Sequence, residues 1–260
     1  MDVFLLAGQS NLAGRGGVIS TTGGEGELQR AWDGVVPDAC QTSGVWCLRP
    51  DGEAWVAARE PLHAGAEPPG KTCGVGPGLA FAAALRASRP ATGALGLVPC
   101  AVGGSALAEW ELPHGKLGQR AVERVCAALA AAPPCADAAP RLAGVLFYQG
   151  ETDAGNAEDA ASWGTRFAAF AAALREELQS PLLPLAVVAI TTAPLPNCAH
   201  VASVRAAQLA LPDVLPRCCV VDAAGLELQA DGLHLTTAAA VTLGQRLAAA
   251  WKARDAAGWA

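Results

Sequence analysis

Short apolar runs alternate along the chain with longer stretches in which apolar residues recur at helical spacing. Each short run has the length of a buried strand rather than of a helix. The short runs are Val3–Ala7, Ala94–Pro99, Leu142–Tyr148, Leu185–Ile190 and Cys218–Asp222. The longer stretches, rich in Ala, Leu and Arg, are Gly78–Ser88, Leu117–Ala132, Asp159–Leu178, Val201–Leu211 and Thr237–Trp251. The pattern therefore predicts strands that alternate with helices.

Alternating strands and helices are typical of a parallel sheet that is covered by helices on both faces. We predict an α/β fold, a three-layer α/β/α sandwich whose central parallel sheet has one strand for each of the five apolar runs. Residues 14–76 depart from the pattern because Gly and Pro are dense there. We interpret them as a long ordered excursion over the sheet edge, within a single domain spanning residues 1–260. Ligands of such sheets bind beyond the carboxyl ends of the strands, so functional residues are expected there.

Composition and charge exclude several classes of protein. Of the 260 residues, 52% are hydrophobic and 16% are charged, which is too apolar for a disordered chain. The net charge of −6, with one Tyr and five Phe, makes the chain a poor binder of phosphate backbones or stacked bases. The longest apolar run, Leu182–Ile190, is too short to cross a bilayer and is interrupted by Pro184. We expect neither a nucleic-acid nor a membrane partner.

The nine cysteines are an odd number, so at least one thiol is unpaired. No C-x-x-C motif and no Cys/His cluster with zinc spacing occurs, so no metal site is predicted. Most of the cysteines, such as Cys100, Cys126 and Cys219, lie in apolar sequence and are interpreted as buried and reduced. No signal peptide is visible, which favours a cytoplasmic location, although a mature secreted chain would look the same. The sequence carries no signal for an oligomeric state.

Residues 65–72 match the phosphate-loop pattern G-x-x-x-x-G-K-[ST]. Such a loop binds phosphate through its backbone N–H groups. Pro68 and Pro69 have no N–H group, and Glu67 would repel the phosphate. We therefore interpret this segment as a proline-rich surface loop.

Two segments at the ends of predicted strands or helices could supply a nucleophile and its base. Ser10 follows the first strand and could expose its hydroxyl at the sheet edge, or it could serve only as a helix N-cap. Asp231 and His234 stand three residues apart before the last helix, so a turn could bring the carboxylate to the imidazole. That pair would be the orienting acid and base of a serine triad, or a capping Asp beside a buried His.

Two further segments could supply hydrogen-bond donors to an oxyanion. Gly104, in the segment 102–105 after the second strand, could offer its N–H group or form an ordinary tight turn. Gln149 could donate its side-chain amide, and Glu151 places a second carboxylate at the same edge. Together, the four segments supply a nucleophile, a base, an orienting acid and oxyanion donors at one edge of the sheet. The chain has no G-x-S-x-G elbow, so it does not follow the α/β-hydrolase pattern.

These residues resemble the SGNH (GDSL-like) hydrolase superfamily, which is recognised by a catalytic Ser, an oxyanion Gly, an oxyanion Asn and a D-x-x-H pair. Within it, the chain is similar to carbohydrate esterase family 6, the plant-type group related to sialate O-acetylesterases. The matching stretches are Phe4–Val18, Trp32–Pro37, Glu60–Ala64, Lys71–Ala80, Leu97–Trp110, Phe147–Ala154 and Asp231–Thr237. They follow the order of the family over nearly the whole chain.

The resemblance implies a role for each matching residue. Ser10 would be the nucleophile, His234 the base and Asp231 the acid that orients it. The N–H groups of Ser10 and Gly104 would form the oxyanion hole with Gln149, which stands where the superfamily has Asn. Glu151 is a rival to Asp231 as the orienting acid.

Other matching residues have less specific roles. Gln9 is a possible substrate-binding residue, and Arg15 could line the cleft or be an ordinary surface arginine. Trp110 could form a platform for a sugar ring or pack at the rim. His63 and Lys71 lie in the excursion and are interpreted as structural.

The function implied by the resemblance is that of a serine carbohydrate esterase similar to acetylxylan esterases. It would remove O-acetyl groups from an acetylated carbohydrate through an acetyl-enzyme, with no metal or cofactor. A short-chain esterase or thioesterase on the same triad, or an inactive carbohydrate-binding protein of this fold, are the alternatives. Xylan, pectin and sialic acid esters all stay open as substrates.

Overall fold

The computed structural model describes residues 1–22, 28–88, 93–133 and 139–259. The strands are β1 (Asp2–Gly8), β2 (Val18–Thr22), β3 (Leu28–Trp32), β4 (Val45–Leu48), β5 (Trp55–Ala57), β6 (Leu95–Pro99), β7 (Arg141–Tyr148), β8 (Leu185–Ala189) and β9 (Cys218–Asp222). The helices are α1 (Ser10–Ala13), α2 (Pro77–Ala87), α3 (Lys116–Ala130), α4 (Ala157–Glu177), α5 (Val201–Leu209), α6 (Leu211–Val214) and α7 (Thr237–Ala256). Short 3₁₀ turns cover Asp38–Cys40, Leu107–Glu109 and Asp153–Gly155.

The main sheet has the strand order β5-β4-β6-β1-β7-β8-β9. Strands β6, β1, β7, β8 and β9 correspond to the predicted apolar runs and pair in parallel. Helices flank the sheet in two groups, because α2 packs against α7 while α4 packs against α3 and α5. The predicted three-layer α/β architecture is therefore confirmed.

The sheet has seven strands, so the predicted number of five was wrong. Strand β4 pairs in parallel with β6, and β5 pairs antiparallel with β4 at the sheet edge. Both strands come from the excursion, which therefore extends the sheet in part instead of only lying over its edge. With four and three residues, they are too short to show a periodic apolar pattern in the sequence.

Strand β1 lies in the middle of the sheet, and its residues from Val3 to Ala7 are at most 1% exposed. Parallel strands that are covered on both faces read as continuous apolar runs, which explains the strong sequence signal here. The pair α2 and α7 approaches so closely that a Cβ on Gly244 would lie 2.4 Å from the carbonyl oxygen of Pro77. Only glycine fits at that contact.

The structure also bears on the expectations for the cysteines, for residues 65–72 and for a membrane span. Cys100 and Cys219 are buried as expected, but Cys126 is exposed on α3; Cys135 lies outside the described residues. Residues 65–72 lie outside the helices and strands, as expected for a loop, but Glu67 is buried rather than on the surface. In the described ranges, no helix has both the length and the apolar character that a membrane span requires.

Arg124 on α3 attaches the excursion to the rest of the fold. The side chain is 7% exposed, and its guanidinium donates to the carbonyl oxygens of Leu48, Arg49, Pro50 and Pro99. A guanidinium carries five N–H donors, so one side chain can serve all of these carbonyl groups. The end of β4 is thereby tied to the end of β6.

We predict that Arg124→Met lowers the free energy of unfolding by roughly 2–4 kcal/mol, because several buried carbonyl groups lose a charged donor. Urea unfolding followed by far-UV circular dichroism would measure the change. Arg217→Met is the matched control, because the Arg217 guanidinium makes one exposed bond to the Leu182 carbonyl. Equal stability of the two variants would contradict the role given to Arg124.

Candidate active site

A cleft of about 500 Å³ opens at the carboxyl edge of the main sheet. Ser10 lies after β1, Gly103 and Gly104 after β6, Glu151 after β7, and His234 before α7. The cleft therefore gathers segments that are distant in sequence but end at the same edge, as expected for a parallel sheet.

Ser10 is the first residue of α1, directly beyond the end of β1. The backbone of Gln9 is extended, and Gln9, not Ser10, is the N-cap residue, so the interpretation of Ser10 as a cap was wrong. The side chain is 5% exposed, and its Oγ lies 3.0 Å from Nε2 of His234. The hydroxyl is thus placed to give up its proton to an imidazole.

Asp231 holds both the ring and the backbone of His234. Its Oδ2 lies 2.6 Å from Nδ1 of His234, and its Oδ1 accepts the N–H groups of Leu233 at 2.9 Å and His234 at 3.0 Å. Burial alone would raise the pKa of Asp231, but these hydrogen bonds outweigh it and lower the pKa. The carboxylate is therefore ionised at neutral pH, and it fixes the imidazole with Nε2 toward Ser10.

The pKa of His234 is lowered below its usual 6.5, chiefly because burial disfavours the charged ring. The hydrogen bond and the charge of Asp231 oppose this shift without cancelling it. The neutral imidazole therefore dominates at neutral pH, and it has a free lone pair at Nε2 for the Ser10 proton.

The loop after β6 lies beside Ser10. A Cβ on Gly103 would be 3.4 Å from Cβ of Ser10, and Gly104 has a φ of +73° that favours glycine. The N–H of Gly103 donates to Oε1 of Glu67 at 3.1 Å. Within the part of the chain that the structure describes, the N–H groups of Ser10 and Gly104 have no partner. Both are free to bind an oxyanion in the cleft.

Gln149 does not face the cleft, so its predicted place in the oxyanion hole is contradicted. The side chain is 0% exposed; its Nε2 donates to Asp153 and to the Ser105 carbonyl, and its Oε1 accepts from Trp163. Both amide hydrogens are thus used inside the protein. The carbonyl oxygen of Ser105 and the carboxylate of Asp153 therefore hold the amide inside the protein, away from the cleft.

Glu151 lines the cleft but has no bond to His234. Its Oε1 accepts from Nδ2 of Asn11 at 2.8 Å. Asn11 in turn donates to the Leu233 carbonyl at 3.2 Å and accepts the N–H of Leu235 at 3.0 Å. Glu151 is therefore linked to the segment around His234 through Asn11, and of the two carboxylates it is Asp231 that is hydrogen-bonded to the ring. Burial raises the pKa of Glu151 to about 7.

Asn11 is not among the residues predicted from the sequence, although it directly follows Ser10. Its bonds to both Glu151 and the backbone on either side of His234 depend on the tertiary fold. The sequence signal that could have found it is its position in the Gly8–Asn11 segment, where the neighbouring polar residues were already candidates.

Gln9 and Arg15 both line the cleft. Oε1 of Gln9 accepts the N–H groups of Gly150 and Thr152, each at 3.3 Å, which holds the side chain in place. Arg15 is 7% exposed and binds both carboxylate oxygens of Glu67, at 2.8 and 2.9 Å, so it is not an ordinary surface arginine.

Trp110 cannot serve as a platform for a sugar ring, because it is 0% exposed. Its ring packs edge-on against Phe147 and Phe170, with centroid distances of 5.8 and 6.4 Å. Its Nε1 donates to Oγ of Ser105 at 3.1 Å. The predicted substrate contact is therefore replaced by a packing role beneath the loop after β6.

Lys71 and Arg30 are cleft residues that sequence analysis either misassigned or passed over. Lys71, interpreted as structural, donates from Nζ to the carbonyl oxygen of Gly103 and lines the cleft. Arg30 lies on β3 and also lines the cleft. Lys71 belongs to the phosphate-loop pattern and to a family-matching stretch, neither of which indicates its contact with Gly103, and no motif marks Arg30. His63 is 1% exposed and stays a structural residue, with a pKa lowered to about 3 chiefly by burial.

No group of three or more His, Cys, Asp or Glu side chains that could hold a metal ion occurs among the described residues. The side chains around Ser10 therefore present hydrogen-bonding groups and cations rather than a set of metal ligands. The arrangement as a whole supplies a nucleophile, a base and oxyanion donors, which is the equipment for acyl transfer.

A serine after the first strand, with an aspartate and a histidine before the last helix, is the arrangement of an SGNH-type hydrolase, as the sequence resemblance indicated. A family model described as "carbohydrate esterase, sialic acid-specific acetylesterase" matches residues 1–253. The chain belongs to this family and is a carboxylic ester hydrolase.

Individual relatives agree with this membership. A probable carbohydrate esterase of Arabidopsis thaliana is 40% identical over 252 residues, which cover 96% of this chain and 90% of the relative. An X-ray structure of an Arabidopsis thaliana protein superposes with a TM-score of 0.85 at 39% identity, over 97% of this chain and 98% of that one.

More distant solved structures share the fold. A carbohydrate acetylesterase from Xanthomonas citri superposes with a TM-score of 0.61 at 23% identity, over 99% of this chain and 57% of that one. NanS superposes with a TM-score of 0.66 at 17% identity, over 98% of this chain and 97% of that one.

We predict that the imidazole of His234 titrates below its usual pKa of 6.5, because burial favours the neutral ring. Asp231→Asn should lower the pKa further, since the carboxylate that stabilises the imidazolium is lost. A pH titration of the histidine ring resonances by NMR would measure both values. Asp213→Asn, at an exposed position on α6, should leave the His234 pKa unchanged. A rise of the pKa in Asp231→Asn would contradict this assignment.

Proposed function

We propose that the protein removes acetyl groups from O-acetylated sugars, with Ser10 as the nucleophile and an acetyl-enzyme as the intermediate. The observation that carries the proposal is the chain of hydrogen bonds from Ser10 through His234 to Asp231 at the cleft. Membership of a carbohydrate esterase family supports the same class of reaction.

In the first half of the proposed reaction, Oγ of Ser10 attacks the acetyl carbonyl carbon while Nε2 of His234 takes the hydroxyl proton. The ionised Asp231 stabilises the resulting imidazolium. The negative charge on the carbonyl oxygen is held by the N–H groups of Ser10 and Gly104. The bond to the sugar oxygen then breaks, and His234 gives its proton to that oxygen as the sugar leaves.

In the second half, water replaces the sugar. His234 takes a proton from the water, the resulting hydroxide attacks the acetyl carbon, and the same two N–H groups hold the new oxyanion. The bond to Ser10 breaks, acetate leaves, and the proton on His234 returns to Oγ. Atoms and charge balance with water as the co-substrate, and no further reactant enters the cycle.

Gln9 is a better candidate than Gln149 for a side-chain donor to the substrate. The carbonyl oxygen of Gln9 is anchored by two backbone N–H groups, and in the described part of the chain its Nε2 has no partner. Because Gln9 lines the cleft beside Ser10, its amide hydrogens are available to an oxyanion or to a sugar hydroxyl.

The charge of the cleft bears on the choice of sugar. The backbone of acetylated xylan, one of the substrates left open, consists of neutral xylose units. Arg30 is exposed and, within the described residues, has no side-chain partner, while Lys71 adds a second positive charge. These two cations favour an acetylated sugar that carries a carboxylate, such as sialic acid, the sugar in the family description.

We predict that the protein hydrolyses 4-nitrophenyl acetate faster than the butyrate and octanoate esters, and that Ser10→Ala lowers the rate by a factor on the order of 10⁴ or more. Release of 4-nitrophenol measures all of these rates. A preference for longer chains would indicate the general esterase or thioesterase alternative. Activity that survives in Ser10→Ala would refute the triad, and sugar binding without hydrolysis by the wild type would favour the binding protein.

A second pair of variants separates the two candidate acids. We predict that Asp231→Asn lowers kcat by a factor on the order of 10⁴, because the imidazole loses its orienting carboxylate. Glu151→Gln should keep most of the activity, since Gln retains an acceptor oxygen for Asn11. Steady-state kinetics at pH 8 compare the two variants. A larger loss in Glu151→Gln than in Asp231→Asn would make Glu151 the orienting acid.

A further inference from the structure

The peptide group between Gly103 and Gly104 is bonded on its carbonyl side to a cation. Nζ of Lys71 donates to the carbonyl oxygen of Gly103. The N–H of Gly104, which belongs to the same peptide group, has no partner among the described residues and is one of the two proposed oxyanion donors. One planar amide therefore connects the ammonium group of Lys71 to the oxyanion hole.

Gly103 and Gly104, the two residues that flank this peptide, have no side chains that could hold it. The N–H of Gly103 donates to Glu67, whose carboxylate is bound by Arg15, and the carbonyl of Gly103 accepts from Lys71. A Cβ on Gly104 would lie 3.9 Å from Nζ of Lys71. The N–H and the carbonyl group of Gly103 are therefore both bonded to residues of the excursion, Glu67 and Lys71. These two bonds help to orient the N–H of Gly104.

The cations near this loop differ in their partners. Arg15 is paired with Glu67 at 2.8 Å, so its charge is largely neutralised. In the described part of the chain, no carboxylate lies within ion-pair distance of Lys71. The charge of Lys71 is therefore left to act on the peptide that it contacts.

We propose that Lys71 is a positioning residue that strengthens the oxyanion hole through the peptide between Gly103 and Gly104. A charged donor on a carbonyl oxygen polarises the amide, and hydrogen bonds in such a chain strengthen one another. The N–H of Gly104 then becomes a stronger donor, already oriented toward the oxyanion before the reaction begins. This inference rests on the proposed function, because it assigns Lys71 to the same reaction.

The effect of Lys71 should fall on the transition state and not on the binding of the ester. Negative charge builds up on the carbonyl oxygen as the tetrahedral intermediate forms, whereas the oxygen of the bound ester is uncharged. A stronger N–H donor therefore stabilises the transition state more than the bound ester. Loss of Lys71 weakens one donor without removing it, so we expect a loss in kcat of roughly tenfold, below the 10²–10³ typical of a removed donor.

The test compares the wild type with Lys71→Met, Lys71→Arg and Lys116→Met on 4-nitrophenyl acetate, a neutral ester that offers no carboxylate. Lys116→Met is the matched control, because it makes the same substitution at an exposed lysine that begins α3 and does not line the cleft. We expect Lys71→Met to lower kcat with KM changed less than about twofold, Lys71→Arg to restore most of it, and Lys116→Met to have no effect.

A second readout uses methylboronic acid, whose tetrahedral adduct on a serine mimics the intermediate. Its inhibition constant should rise in Lys71→Met by the same factor as kcat falls. Thermal unfolding checks that the fold is kept, as expected for an exposed side chain. If Lys71→Met does not fold, Lys71→Gln replaces it, with the same loss of charge and the same expected drop in kcat.

Unchanged kcat in Lys71→Met, a change in KM alone, or equal losses in Lys71→Met and Lys116→Met would each overturn the role of Lys71. An active wild type with an inactive Ser10→Ala and an unchanged Lys71→Met overturns this inference alone. A wild type that hydrolyses no acetyl ester overturns it together with the proposed function.

Discussion

The hydrogen bond between Ser10 and His234 joins residues 224 positions apart, and the geometry of the cleft depends on it. Ser10 is placed by β1, the buried strand in the middle of the sheet, while His234 lies on the segment that leads into α7. Because α7 packs against α2, any shift of α7 relative to the sheet would open the contact. The reactive geometry is thus a property of the packed core rather than of either segment alone.

Buried polar side chains surround this contact, and nearly every one has a specific partner. Asn11 connects Glu151 to the backbone beside His234, and Arg15 holds Glu67 against Gly103. Buried polar groups are costly unless they are hydrogen-bonded, so such a network tolerates few alternative arrangements. The excursion, which contributes Glu67 and Lys71, is therefore part of the site and not only a cover over the sheet.

The structure could be predicted best from the sequence at positions where a single physical requirement restricts the type of residue. A strand that is buried on both faces must be apolar throughout, so the five central strands could be read directly. The candidates Ser10, Gly104, Asp231 and His234 were equally visible, because the carboxyl ends of parallel strands meet at one edge. Short-range geometry also sufficed for Asp231 and His234, whose pairing needs only one turn of the chain.

The α/β fold and the candidate nucleophile, base and acid could thus be predicted from patterns in the chain. The directions of the remaining side chains depend on how the distant segments pack together. Trp110 and Gln149 turned out to be buried in the core, whereas Lys71 came to lie in the cleft. Strands β4 and β5 could not be predicted from the apolar pattern either. In each case the outcome depends on contacts between residues far apart in the chain, which a local pattern does not encode.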